Sequence, residues 1–187
     1  MKFLDKYNNS KNIRFESFEK TLKISLNRNL KTIVETGTAR GKTKFFFIKR
    51  YNWKDGMSTP MFAEYAKFVE GKLHTCDISS ENIKNAKKFT SYFSDYIEFY
   101  TKDSLIFLKE FKYPIDLLYL DSLDGHDPIA ASNHQLKEAQ IAIEKLHDKS
   151  LILLDDKGSK TNLSIDFLIK NNFKIIYETN YQVLLSL

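Results

Sequence analysis

The chain has 187 residues, enough for one domain with a sizeable core. Hydrophobic residues make up 42% and charged residues 28%, the balance of an ordinary globular protein, and the longest apolar runs are too short to span a membrane. The net charge is +5, but only four of the 29 basic residues are arginine, the side chain that phosphate and base recognition favours, which argues against a nucleic-acid partner. The single cysteine, Cys76, excludes an internal disulfide and fits a reducing compartment. With no apolar signal segment at the N-terminus, we expect a cytoplasmic protein without a membrane partner.

Strand and helix patterns alternate along most of the chain. Apolar residues at helical spacing predict an opening helix over 13–28. Short apolar runs then predict strands over 31–36, 71–77, 95–101, 114–121 and 149–156. Helical patterns lie at 59–70, 80–93, 103–111, 130–147 and 162–171.

This alternation predicts an α/β fold, doubly wound, with a mainly parallel sheet of seven strands. The last two strands, 173–178 and 181–187, are separated by only two residues, which can close a hairpin but cannot form a parallel crossover. The sheet should therefore end in a C-terminal antiparallel hairpin. We expect a single domain over 1–187, with 1–30 as an N-terminal helical cap and 31–187 as the Rossmann-like core.

Residues 40–57 interrupt the pattern and are interpreted as an insertion before the first crossover helix. That helix should begin near Pro60, with Ser58 or Thr59 as its N-cap. The aromatic segment 45–53 fits core packing best, with a lid containing Trp53 or a contact between two copies in a homodimer as alternatives.

Acidic residues follow nearly every predicted strand. Ligands of doubly wound sheets bind at the carboxyl ends of the strands, so these side chains should line the site. They are Glu35, Asp77, Asp103, Asp121, Asp155 and Asp156. Such a rim suits ribose hydroxyls, an ammonium or sulfonium group, or a metal ion, and it does not suit bare phosphates.

The segment ETGTARGKT, residues 35–43, admits two interpretations. A phosphate loop requires four residues between its glycines, whereas three separate Gly37 from Gly41, and Glu35 would face the phosphates. Lys42 and Thr43 nevertheless keep a P-loop NTPase or kinase open as an alternative.

The pattern of an acidic residue followed by Gly37 and Gly41 resembles the first motif of class I S-adenosylmethionine-dependent methyltransferases. The resemblance implies S-adenosylmethionine as cofactor, with Asp77 on the ribose hydroxyls, Ile78 against the adenine and Asp103 near the adenine amine. The full set of implied cofactor-binding residues is Glu35, Thr36, Gly37, Thr38, Gly41, Asp77, Ile78, Asp103 and Ser104. Ala39 stands where the family has its middle glycine.

The segments YLDSLDGHD and LILLDD further resemble the metal-dependent O-methyltransferases. That resemblance implies a divalent metal such as Mg²⁺ on Asp121 and Asp156, with Asp155 as a substitute ligand, because Lys157 stands where the family has asparagine.

The resemblance implies methyl transfer to an oxygen or nitrogen nucleophile of a small-molecule acceptor. Asp121 would orient the acceptor, and His126 or His134 would act as base. His134 and Glu138 are four residues apart and share a helix face. Residues 1–30 and 40–57 would form the acceptor pocket. A non-catalytic binding protein that keeps the fold stays open as a further alternative.

Overall fold

The computed structural model describes residues 1–40, 42–45, 48–51, 53, 57–123 and 127–187. The helices are α1 Phe15–Asn27, α2 Ser58–Phe68, α3 Ser80–Phe89, α4 Ser104–Glu110, α5 Pro128–Ala142 and α6 Asn162–Lys170. The strands are β1 Thr32–Thr36, β2 Lys42–Phe45, β3 Ile48–Tyr51, β4 Lys72–Asp77, β5 Ile97–Thr101, β6 Ile115–Leu120, β7 Leu146–Asp155, β8 Lys174–Glu178 and β9 Gln182–Ser186. Short 3-10 helices cover Lys2–Tyr7, Ser91–Tyr96 and Ile143–Lys145.

Seven strands form one sheet in the order β5-β4-β1-β6-β7-β9-β8. The pairs from β5 to β7 are parallel, and β9 runs antiparallel to both β7 and β8. The predicted fold class is therefore confirmed, including the terminal hairpin. The strand order reverses between β1 and β6, the place where a doubly wound sheet forms its binding crevice.

Alternate residues of each central strand pack on opposite faces of the sheet. Ile33, Leu117 and Leu153 join a cluster with α1 and α2, whereas Val34 and Leu118 join one with α4, α5 and α6. This two-sided burial explains why the central strands are nearly continuous apolar runs.

Strands β2 and β3 form a separate antiparallel pair within the segment interpreted as an insertion. Of the aromatic residues there, Trp53 is half-buried and packs against the cluster that contains α1 and α2.

The predicted boundary of the fifth helix is wrong. Instead of running to 147, α5 ends at Ala142, and β7 begins at Leu146, several residues before the predicted 149. The cause is tertiary, because His147 Nε2 lies 2.9 Å from Asp116 Oδ1 and the Ser150 hydroxyl donates to the carbonyl of Ile115.

The predicted N-cap of the crossover helix is also wrong. Met57, with a φ of 56°, occupies the N-cap position of α2 and makes no side-chain cap. Ser58 and Thr59 belong to the helix itself, and Thr59 uses its hydroxyl to bond Glu35 instead.

None of the helices in the described part of the chain is both long enough and apolar enough to cross a membrane.

Candidate functional site

Gly37 lies where the ends of β1 and β6 come together. Its φ is +86°, and a Cβ atom there would lie 2.1 Å from the backbone oxygen of Asp121. The two strand ends are joined by a hydrogen bond from the Asp121 amide to the Thr36 carbonyl. Only glycine permits both this conformation and this approach, so the loop after β1 is fixed beside the end of β6.

An open cavity of about 670 Å³ lies over these strand ends, a volume within the range of small-molecule sites. Its wall includes Gly37 and Thr38 after β1, Asp77 and Ile78 after β4, and Asp121 after β6. Together with Asp155 at the end of β7, these residues bring the ends of four different strands around one space, as the sequence predicted for this edge of the sheet.

Asp77 organises the rim of this cavity. Its Oδ1 accepts from the backbone amide of Ser79, and its Oδ2 accepts from the Asn82 side chain at 3.0 Å and from the Thr38 amide at 3.3 Å. A carboxylate offers about four acceptor sites, so one more hydrogen-bond donor can still be accepted from the cavity. Next to it, Ile78 is 76% exposed and lines the cavity, so its side chain is available for contact with a ligand.

Glu35 is completely buried and does not line the cavity. Its Oε2 accepts from the hydroxyls of Thr59 and Thr75, and the Thr59 oxygen accepts from the Ala39 amide. Burial raises the pKa of Glu35 to about 7, against the lowering effect of hydrogen bonds from Ser58, Thr75 and Thr59. Among the predicted cofactor residues, Glu35 therefore acts through the loop that it supports. Thr36 is likewise fully buried.

A smaller cavity of about 90 Å³ adjoins the first and shares Gly37, Asp77 and Ile78 with it. Asp103 and Ser104 line this cavity. Asp103 Oδ1 also caps α4 by accepting from the Leu105 and Ile106 amides.

His134 belongs to the smaller cavity rather than to the larger one. Its Nε2 lies 2.8 Å from the Ser104 hydroxyl and 3.7 Å from Glu138 Oε1. Glu138 is fully buried, and burial raises its pKa. The structure thus places His134 beside the predicted adenine residues and not beside Asp121, which weakens the prediction that it serves as the base.

Asp121, Asp155 and Asp156 come together as predicted, with one oxygen of each within 4.8 Å of the others. Two cations lie among these carboxylates. The Arg14 guanidinium, at the start of α1, donates to both oxygens of Asp155 at 2.6 and 2.9 Å and to Asp156 Oδ1 at 2.7 Å.

The second cation is Lys160. Its Nζ donates to Asp121 Oδ1 at 2.8 Å and to the Leu123 carbonyl at 3.1 Å, and it lies 3.2 Å from Asp156 Oδ2. The Lys160 side chain is only 2% exposed. Lys157, which stands where the family has asparagine, pairs with Glu178 at 3.1 Å.

The ionic environment shifts the pKa values of this cluster. Burial and the charge of Asp121 raise the pKa of Asp155 to about 6, although Arg14 opposes the shift. Burial alone would lower the pKa of Lys160, but Asp121, Asp155 and Asp156 together raise it above its ordinary value. Lys160 is therefore a fixed positive charge at neutral pH.

These residues do not fit a divalent metal as they stand. A Mg²⁺ ion needs carboxylate oxygens free to coordinate it, whereas Asp121 Oδ1 and Asp156 Oδ2 already share the Lys160 ammonium. Carboxylate oxygens are suitable ligands for a divalent metal, but the Lys160 ammonium already occupies the position between them.

Sequence analysis missed Arg14 and Lys160. Lys160 could have been noticed because it follows Asp156 by four residues in the turn after β7. Arg14 carried no such signal, because it lies 141 residues from Asp155 in sequence. Two predicted residues, Gly41 and His126, lie outside the described part of the chain.

Comparison with known proteins agrees with this architecture. A family profile described as "Methyltransferase domain" matches residues 34–157, about two thirds of the chain. The sequence has no significant match among curated proteins.

Three solved structures illustrate the similarity of fold. The SAH-bound methyltransferase PaMTH1 from Podospora anserina has a TM-score of 0.67 at 11% identity, over 97% of this chain and 80% of its own. An O-methyltransferase from Bacillus cereus in complex with S-adenosylhomocysteine (SAH) has a TM-score of 0.62 at 13% identity, over 96% of this chain and 84% of its own. An rRNA methylase from Streptococcus thermophilus has a TM-score of 0.61 at 10% identity, over 89% of this chain and 93% of its own. Because these structures include both an O-methyltransferase and an rRNA methylase, the shared fold does not identify an acceptor.

Proposed function

The chain belongs to the methyltransferase domain family, a Rossmann-like family of S-adenosylmethionine-dependent enzymes, and from that premise we propose that it methylates an oxygen or nitrogen nucleophile of a small molecule. The observation that carries the proposal is the single cavity lined by the loop after β1, by Asp77 and Ile78 after β4, and by Asp121 after β6.

S-Adenosylmethionine would supply the methyl group as an electrophile on its sulfonium. The chain's own residues bind and orient it. Asp77 accepts a hydrogen bond from a ribose hydroxyl through its remaining acceptor site, and the exposed Ile78 side chain covers one face of the adenine. Asp103, whose Oδ1 caps α4, uses its second oxygen in the smaller cavity.

The loop between Gly37 and Ala39 provides a close-packed floor for the amino-acid part of the cofactor. Its shape is fixed by the Thr38 amide on Asp77 and by the Ala39 amide on Thr59. Such fixed geometry is the main catalytic device available for an in-line methyl transfer, because positioning and exclusion of water lower the barrier without covalent chemistry by the protein.

The acceptor would approach from the side of the cavity that Asp121, Asp127 and Asp155 line. A cavity of about 670 Å³ can hold the cofactor together with only a compact acceptor, which favours a small molecule over a macromolecule. The scarcity of arginine supports the same choice.

An assay of methyl transfer tests this proposal. Purified protein is incubated with methyl-labelled S-adenosylmethionine and a panel of small phenols, carboxylates and amines, with total RNA as a competing class of acceptor. We expect labelled product from a small molecule and none from the Asp77→Ala variant. Labelling of RNA alone would refute the acceptor class, and cofactor binding without any transfer would support the non-catalytic alternative.

A further inference from the structure

The structural basis for a further inference is the ion-pair cluster at the carboxyl ends of β6 and β7. Three carboxylates of the methyltransferase site, Asp121, Asp155 and Asp156, surround space in which Arg14 and Lys160 place their cationic groups. The inference drawn from this cluster rests on the proposed function only because the carboxylates line the same cavity.

We propose that Lys160, together with Arg14, is a built-in cation that takes the place of a divalent metal in this site, so that the protein works without a metal ion.

The position of the Lys160 ammonium supports this inference directly. Three oxygens lie within 3.2 Å of Nζ, one each from Asp121, Leu123 and Asp156, which is one for each N–H of an ammonium group. Asp121 and Asp156 are the two residues that match metal ligands of the related O-methyltransferases. A metal that joined these two carboxylates would have to displace the ammonium.

The backbone around Lys160 holds the side chain in that position. Asp156 adopts a left-handed conformation with φ of 57°, and its carbonyl accepts from the amides of Ser159 and Lys160. The Gly158 amide donates to the Thr161 hydroxyl. This tight turn directs the Lys160 side chain back toward the strand ends, where it is only 2% exposed. Without the Lys160 ammonium, the carboxylates that it contacts would lose a buried counter-charge.

Arg14 completes the neutralisation from the opposite side. Its contacts with Asp155 are bidentate, the strongest geometry for a guanidinium and a carboxylate. Gln182 Nε2 adds a hydrogen bond of 2.7 Å to Asp155 Oδ1. Three negative charges thus meet two positive ones, leaving about one unit of negative charge, compared with three if the cations were absent.

One chemical consequence concerns the acceptor. The ammonium donors of Lys160 are all directed at protein oxygens, so Lys160 orients Asp121 and does not itself ionise an acceptor hydroxyl. Lys160 is accordingly a positioning residue, and Asp121 retains Oδ2, which also accepts from the Tyr119 hydroxyl at 3.3 Å, for contact with an acceptor.

Metal titration of the intact protein tests the inference. Mn²⁺ is titrated into the wild-type protein and its binding followed by electron paramagnetic resonance, with S-adenosylhomocysteine binding measured in the same buffer. We expect no stoichiometric Mn²⁺ site and no effect of EDTA on S-adenosylhomocysteine binding. Stoichiometric Mn²⁺ binding that is lost in Asp121→Asn would overturn the inference.

A variant that lacks the Lys160 ammonium provides a second test, in which the affinity for Mn²⁺ should increase. In Lys160→Met the carboxylates lose one counter-charge, and we expect Mn²⁺ affinity to rise on the order of a hundredfold, as one unit charge at contact distance produces at an intermediate dielectric constant. Lys157→Met is the matched control, because Lys157 pairs with Glu178 outside the cluster and its loss should leave Mn²⁺ binding unchanged. If Lys160→Met does not fold, the wild-type titration alone decides.

The two proposals fail in different ways. Absence of both S-adenosylhomocysteine and Mn²⁺ binding would contradict the proposed function while leaving the built-in cation intact. Binding of both, with EDTA abolishing methyl transfer, would support the function and refute the built-in cation.

Discussion

At the scale of single residues, Gly37 determines how closely the loop after β1 approaches the end of β6. Its φ of +86° is shared by Gly158, whose φ is +85°, but the surroundings differ. A Cβ atom on Gly37 would overlap the backbone of Asp121, whereas one on Gly158 would meet no atom within 4 Å. Substitution of Gly158 therefore introduces backbone strain alone, whereas substitution of Gly37 introduces backbone strain and steric overlap.

We predict that Gly158→Ala lowers the free energy of unfolding by about 1–2 kcal/mol, the cost of a left-handed alanine. Gly37→Ala should cost at least about 4 kcal/mol, because overlap with fixed backbone is added to that strain. Urea unfolding followed by circular dichroism measures both. Equal losses in the two variants would show that the strand ends are not packed as described.

Glu35 provides a second prediction at this scale, because its burial changes how stability depends on pH. Its pKa is raised from the ordinary 4.5 to about 7, so the folded protein binds this proton more tightly than the unfolded chain. The associated stabilisation is complete below about pH 4.5 and is lost as the pH rises to about 7.

Replacement of Glu35 by glutamine removes this titration. We expect the unfolding free energy of the wild-type protein, relative to Glu35→Gln, to fall as the pH rises from 4.5 to 7. Asp155, whose pKa is raised to about 6, titrates in both proteins and cancels in the difference. Chemical denaturation at a series of pH values gives the curve. A difference that stays constant or rises across this interval would contradict the buried placement of Glu35.

At the scale of elements, α1 is part of the core and not a detachable cap. Phe18 and Leu22 are fully buried, and the Phe18 ring packs edge-on against Phe62 and Tyr119 with centroid distances of 5.5 and 5.4 Å. Because Tyr119 belongs to β6 and Phe62 to α2, α1 closes one face of the sheet. The helix also delivers Arg14 to the site at its N-terminus.

We predict that Phe18→Ala destabilises the protein by about 3–5 kcal/mol, as expected for a fully buried phenylalanine. Leu26→Ala, on the same helix but 38% exposed, should cost less than about 1 kcal/mol. Thermal or urea unfolding of the pair measures the difference. Similar small losses in both variants would indicate that α1 is a loosely attached cap after all.

Element types could be predicted because burial leaves a clear pattern in the sequence. Apart from Asp116 near its start, the run Ile115–Leu120 is apolar, since β6 is covered on both faces. The two residues between the last two runs left only a hairpin. The boundary between α5 and β7 could not be predicted, because residues 144–150 are polar or charged except Leu146 and show neither helical nor strand periodicity. The contacts of His147 with Asp116 and of Ser150 with Ile115, remote in sequence, decide where the strand begins.

At the scale of the whole molecule, the strand order brings residues that are far apart in sequence into one crevice. The reversal between β1 and β6 places the loop at Gly37 beside Asp121, and the neighbouring strands add Asp77 on one side and Asp155 on the other. The carboxylates of this crevice could be predicted, because each directly follows a recognisable strand.

The cations of the site could not be predicted in the same way. Arg14 reaches Asp155 only because α1 packs across β7 and β9, and Lys160 returns to Asp121 only because the turn after β7 is tight. Neither relation leaves a periodic pattern in the sequence. The sequence therefore predicted that these carboxylates lie together, and it did not predict the two side chains that neutralise them.

The measurement that tests the central claim most directly is calorimetric titration of the protein with S-adenosylhomocysteine, in the wild type and in Asp77→Ala. We predict saturable binding with one site in the wild type. In the variant, affinity should fall on the order of a hundredfold, since one charge-assisted hydrogen bond to the ribose is lost together with the contact that holds the Thr38 amide in place. Asp148→Ala, which removes an exposed carboxylate far from the cavity residues, should bind as the wild type does. Binding of ATP–Mg²⁺ without any binding of S-adenosylhomocysteine would contradict the account and favour the phosphate-loop interpretation of residues 35–43.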